Sequence, residues 1–191
     1  MTATRTVTIL TPDRLTSLGQ AFFAAQKTGE PWRCDAGIDD LAATILERRE
    51  RLRAVVAGAP EASFGPQPDN DQGEQVWTAG QCAEHVCAAQ YAVGTPAILS
   101  LTTPGGVATF AQPAPPNEVP APPALSRAAA LARLDAATPE FAQLLDRVPR
   151  DADLDITLDH RFFGTINLAA LLLICAWHEQ GHAAQIERLS A

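Results

Sequence analysis

The chain has 191 residues, 47% of them hydrophobic, enough to bury one core and cramped for two full domains. Its formal net charge is -8, with 22 Asp and Glu against 14 Lys and Arg, a balance that repels nucleic acid and anionic lipid. Small-molecule or protein partners are expected instead. Alanine is abundant and aromatic residues are few, which favours closely packed helices over a sheet.

In chain order, residues 1–37 read as an N-terminal extension, with a short Thr/Val alternation before a weak helical stretch from Pro12 to Lys27. From Ile38 the pattern sharpens. Ile38, Leu41, Ile45, Leu52 and Val55 recur at helical spacing, with Asp39 and Asp40 at the start and arginines later, as the helix dipole prefers. The group Arg48, Arg49, Arg51 and Arg53 on this helix reads as a solvated face. Gly58 to Val76 is dense in turn formers and reads as a loop. Thr78 opens a second helix, with Gln81 placed to complete a capping box, and Gly94-Thr95-Pro96 should end or kink it.

Thr103 to Pro123 carries repeated prolines and should be an extended connection. Ser126 can cap a third helix, Arg127 to about Asp146, which Thr138-Pro139 should kink or restart. A fourth helix is expected after Gly164, capped by Thr165 and running nearly to the C-terminus. The expectation is an all-α four-helix bundle over residues 38–191, with long connections. The start has no apolar signal region and the longest apolar run, Leu168 to Trp177, is too short to span a bilayer. Four cysteines lack a framework spacing and read as reduced thiols, so a cytoplasmic location is expected.

His178 and His182 are four apart on the last helix and project from one stripe, together with Leu171, Cys175, Gln185 and Leu189. His85 lies on the inner stripe of the second helix, between Cys82 and Ala89. If the two helices are neighbours, three imidazoles converge on one divalent metal ion and leave a coordination position open, as in catalytic sites. A single helical histidine would read as packing, but three on apolar stripes need partners that packing does not supply. Cys82 and Cys175 are close enough to approach the ion but read as small core residues. Gln185 is placed to orient a ligand imidazole. His160 reads as part of the entry into the last helix.

His178-Glu179-Gln180-Gly181-His182 also fits H-E-x-x-H, the zinc peptidase motif with the glutamate as general base. Such peptidases commonly take a third ligand downstream. Here only Glu187 follows, pointing about 180° from His178 on the same helix, so the peptidase reading is set low. Glu179 is kept as a catalytic acid or base beside the site, with Glu84 as another proton carrier. Gly181 costs about 1 kcal/mol relative to alanine in mid-helix, which close helix approach or room for a ligand would explain.

The run Trp77-Thr-Ala-Gly-Gln-Cys-Ala-Glu-His85, then Phe163-Gly-Thr-Ile-Asn-Leu, then Trp177-His-Glu-Gln-Gly-His-Ala-Ala-Gln-Ile186 resembles the DinB/YfiT-like family of metal-binding four-helix bundles. The resemblance covers roughly residues 38 to 189 and rests on the order of three short motifs. It maps the family's metal ligands onto His85, His178 and His182. It implies zinc or nickel, frequent homodimers and, in some members, transferase or isomerase chemistry that uses a low-molecular-weight thiol. A non-catalytic, stress-response binding protein is the alternative.

Overall fold

The computed structural model describes residues 6–28, 32, 34–67, 77–103 and 121–189. Among these, the helices are α1 (Pro12–Thr28), α2 (Ile38–Gly58), α3 (Ala79–Ala89), α4 (Thr95–Thr102), α5 (Arg127–Asp146) and α6 (Leu168–Leu189). One antiparallel hairpin, β1 (Thr157–His160) with β2 (Gly164–Asn167), is added to them. The fold is all-α, and its bundle is α2, α3, α5 and α6. α2 packs most extensively on α6 and α3 on α5, while α2–α5 and α3–α6 contacts close the ring.

α2 carries two buried stripes. Leu41, Ile45, Leu52 and Val56 are fully buried against the other helices, Val56 standing where Val55 was expected. Asp40, Thr44 and Arg48, four apart, hold the extended segment before α1. Asp40 Oδ1 accepts from Thr8 N at 2.8 Å, Thr44 Oγ1 from Leu10 N at 2.9 Å, and Arg48 Nη2 donates to Leu10 O at 2.7 Å. Side chains thus satisfy backbone groups that a neighbouring strand would otherwise pair. α1 then lays Leu15, Leu18 and Phe22 into the core shared with α2 and α6.

The expected solvated arginine face is corrected by this arrangement. Arg48 and Arg49 are buried, whereas Arg51 and Arg53 are exposed and paired with Glu187 and Asp135. Position 49 lies four residues after Ile45 and three before Leu52, so it belongs to the apolar stripe by spacing.

The capping box at α3 forms as expected: Thr78 Oγ1 accepts from Gln81 N at 3.1 Å, and Gln81 Oε1 accepts from Thr78 N at 2.9 Å. Gly94-Thr95-Pro96 does not end the helix. The chain passes through a π-helical turn, Gln90–Gly94, and continues as α4. Pro96 has no N–H to give the preceding turn, and a widened turn is one way a helix accommodates that loss. In α5, Ser126 Oγ accepts from Ala129 N at 3.3 Å, and the helix runs through Pro139 without restarting.

Thr165 does not cap α6. It lies in β2, where its hydroxyl donates to Asp159 Oδ1 at 2.9 Å, and the cap is Asn167, whose Oδ1 accepts from Ala170 N at 3.0 Å. The cause is Gly164. At φ 63° it adopts a left-handed conformation that suits glycine, and the three-residue turn Arg161–Phe163 folds the chain back to pair His160 with Gly164. Most of the proline-rich connection expected over 103–123, and the second half of the loop expected over 58–76, lie outside the described residues. The first half of that loop includes a short 3-10 turn, Glu61–Phe64.

Candidate metal centre

His85 comes from the middle of α3, and His178 and His182 from adjacent turns of α6. The α3–α6 contact brings the three together, so that one ring nitrogen from each lies within 4.8 Å of the other two. Nε2 of His182 stands 3.1 Å from Nε2 of His178. Ring centroids are 5.0 Å apart for His85 with either partner and 4.6 Å for His178 with His182. All three are half-buried.

The electrostatics favour neutral imidazoles. Burial, with the neighbouring His182, pushes His85 down to about 4. Burial likewise takes His178 well below the ordinary histidine value, helped by His182, His85 and Arg49, and it lowers His182, where Gln185 acts in the opposite sense. Neutral imidazole nitrogens are metal ligands. Gln185 Oε1 lies 3.0 Å from His182 Nδ1, the contact expected if Nδ1 carries the proton and Nε2 faces the other rings. Trp77, at the entry to α3, packs at 4.6 Å on His85 and stacks at 6.0 Å on His182.

Glu179 faces away from solvent at 3% exposure and is paired with Arg49, itself 1% exposed. Arg49 Nε and Nη2 both donate to Glu179 Oε1, the first at 2.7 Å, while Glu179 Oε2 and Arg49 Nη1 have no protein partner. Burial raises the carboxyl of Glu179, and Arg49 draws it back. Burial works against the charge of Arg49, but Glu179 outweighs it and Arg49 stays a firm cation. Glu84 is engaged as well, accepting from Arg133 Nε at 2.9 Å. Glu187 pairs with Arg51 on the surface, remote from the histidines as its spacing requires.

A cavity of about 360 Å³ opens beside the triad. Its wall is largely apolar, and it includes the side chains of Phe141, Leu171 and Ile174, the π-helical turn, and the hairpin residues His160, Phe162 and Phe163. Cys175 lines it too, with burial holding its thiol up at about 12. Cys82 belongs instead to the core cluster shared by α2, α3, α5 and α6, and its thiol is also raised by burial to about 12. His160 is not among the three converging histidines; its Nδ1 accepts from Phe162 N at 3.2 Å and its ring packs 4.7 Å from Phe163. Gly181 is exposed, and a methyl group there would meet nothing within 4 Å. Neither close helix approach nor room in the cavity accounts for it.

A family model described as the DinB superfamily matches residues 44–186, well over half of the chain. This chain belongs to the DinB superfamily. The matched span runs from α2 to the last turn of α6 and contains the bundle and all three histidines. No curated protein and no solved structure matches it. Among the described residues, no helix of this DinB-family chain is long and apolar enough to cross a membrane.

Spacing alone indicated the three converging histidines and the Gln185 contact. Arg49, Trp77 and the hairpin wall were missed as parts of the site. A signal existed for Arg49, an arginine on the apolar stripe of α2, and for Trp77, one residue ahead of a cap. The hairpin offered only four-residue strands.

Proposed function

We propose that this DinB-family chain is a metal-dependent enzyme in which His85, His178 and His182 hold one divalent ion, zinc or nickel, at the end of the apolar cavity. The observation that supports it best is the convergence of three imidazoles favoured as neutral, one fixed by Gln185, beside an apolar cavity. Three protein ligands leave a position for an exogenous group. Lewis acidity toward a thiol or a water at that position is the chemistry a divalent ion supplies when bound.

The chain's own residues have separable tasks. Gln185 sets the tautomer of His182, and Trp77 shields the outer faces of His85 and His182. The Arg49–Glu179 pair ties α2 to α6 one residue from His178 and fixes the rotation of α6. The apolar wall lowers the polarity around the reacting group. We assign to the site transfer or isomerisation of a small electrophilic substrate, with a low-molecular-weight thiol as nucleophile. It acts in this reading as a cytoplasmic homodimer on small molecules, and the net charge of -8 disfavours nucleic acid and anionic membrane as partners.

Thiol-dependent consumption of a chlorodinitrobenzene electrophile should be measured with metal-loaded protein, with chelated protein and with His182→Ala. Turnover by the loaded wild type alone is expected. Stoichiometric metal without turnover across a panel of thiols and electrophiles would favour a binding or stress-response role. Peptide cleavage abolished by Glu179→Gln would restore the peptidase reading, against which the engagement of Glu179 with Arg49 speaks.

A further inference from the structure

The shape and chemistry of the cavity say more about its occupant than the triad does. It follows α6 from His182 and His178 past Cys175 and Ile174 to Leu171. Seven residues of helix separate His178 from Leu171, a rise of about 10 Å. Phe162 and Phe163 of the hairpin turn form part of the cavity wall, the latter braced by Phe22 and by Phe23, which also packs on Trp177. The cavity is therefore a slot that runs along α6 from the histidines to Leu171, with aromatic side chains in its wall.

Polar groups along the slot are few, with Arg49 Nη1, Glu179 Oε2 and Gln90 Oε1 among the buried side-chain atoms left without a protein partner. Arg49 and Glu179 neutralise each other, and Gln90 gives its amide to Ala137 O at 3.4 Å. A ligand rich in hydroxyls or amides would leave water to enter this slot and find few partners, at a cost for every unpaired group. A volume of about 360 Å³ lies at the small end of the range for ligand pockets.

We infer that the slot takes an apolar small molecule, an alkyl or aryl body about 10 Å long that carries one metal-binding head group. The inference rests on the metal reading above, because the head group is anchored by the ion at His85, His178 and His182. The body lies along α6 toward Leu171.

The test is a ladder of straight-chain alkanehydroxamates, from acetohydroxamate upward, titrated by calorimetry into zinc-loaded full-length protein whose metal content has been measured. Affinity should rise about fourfold per added methylene and level off at roughly six to eight carbons, about the rise of α6 from His178 to Leu171. Gluconohydroxamate, of similar length but covered in hydroxyls, should bind no better than acetohydroxamate. A ladder that stays flat, or gluconohydroxamate binding as well as the alkyl probe of its length, overturns the inference while zinc-dependent acetohydroxamate binding leaves the metal reading standing. Protein that retains no zinc loses the anchor and overturns both. Ala89→Leu, which places bulk in the slot one turn beyond His85, should level the ladder at shorter chains. An unchanged ladder in that variant, with the variant shown to be folded by its melting curve, would refute the placement along α6.

Discussion

Replacing Arg49 by Leu removes the guanidinium that faces Glu179 and leaves a carboxylate at 3% exposure with no cation beside it. Such a carboxyl escapes its desolvation cost by taking a proton on folding. Starting from an ordinary value of 4.5, that protonation costs about 3 kcal/mol at pH 7 and under ~1 kcal/mol at pH 5. The pH 7 figure agrees with the ~3–5 kcal/mol typical of breaking one side of a buried ion pair. The sign follows from linkage: in the variant the folded state binds the extra proton, so stability is full below the unfolded value and is lost as pH rises. Urea unfolding of wild type, Arg49→Leu and Arg49→Leu/Glu179→Leu, each with chelator at pH 5 and pH 7, reads this directly. The single variant should lose roughly 2 kcal/mol more at pH 7 than at pH 5 relative to wild type, and the double variant should recover most of the loss. A pH-independent loss, or a double variant no better than the single, would refute the account of Arg49 as the counter-charge of Glu179.

Gly181→Ala should stabilise the chain by about 1 kcal/mol and raise Tm by roughly 2–4 °C, because a methyl group there meets open space; a lowered Tm would show that the glycine has a role beyond the helix. Gly80→Ala should cost ~1–3 kcal/mol in urea unfolding, since its methyl carbon would fall 2.0 Å from Leu125 O, in a segment that Gln81 Nε2 ties down at Pro122 O; a neutral result would mean that this segment yields freely. With chelator present, the wild type should be less stable at pH 5 than at pH 7. His85, His178 and His182 are all lowered in the fold, so the unfolded chain binds more protons below the ordinary value of 6.5, and stability falls as pH drops toward 4. Equal unfolding midpoints at the two pH values would contradict the neutral, buried imidazoles.

Local chemistry in this sequence was legible wherever it repeats or caps. The stripe beginning at Ile38, the Thr78–Gln81 box, the Ser126 cap and the four-residue spacing of His178 and His182 all carry their geometry within a turn or two of helix. His85 could be joined to them because it shares an apolar stripe. Arg49 was misread because the four arginines were taken as one group, although adjacent helical positions point about 100° apart and only Arg49 falls between Ile45 and Leu52 on the core side. Its partner Glu179 lies 130 residues away, a distance that no local pattern spans. The hairpin escaped because four-residue strands carry little alternation and its decisive residue, Gly164, looks like any turn glycine. The cavity escaped for a deeper reason: periodicity says which residues face inward, whereas a cavity depends on how helices, a π-helical turn and a hairpin fail to fill the space between them.

The central claim is that His85, His178 and His182 act together as ligands of one ion. Elemental analysis of the purified protein after loading with zinc and exhaustive dialysis tests it most directly, on wild type, His85→Ala, His178→Ala, His182→Ala and, as a control outside the triad, His160→Ala. One equivalent of metal in wild type and in His160→Ala, with loss in each of the other three, is the expected result. Full stoichiometry in any triad variant that still folds, or no retained metal in wild type, would contradict it.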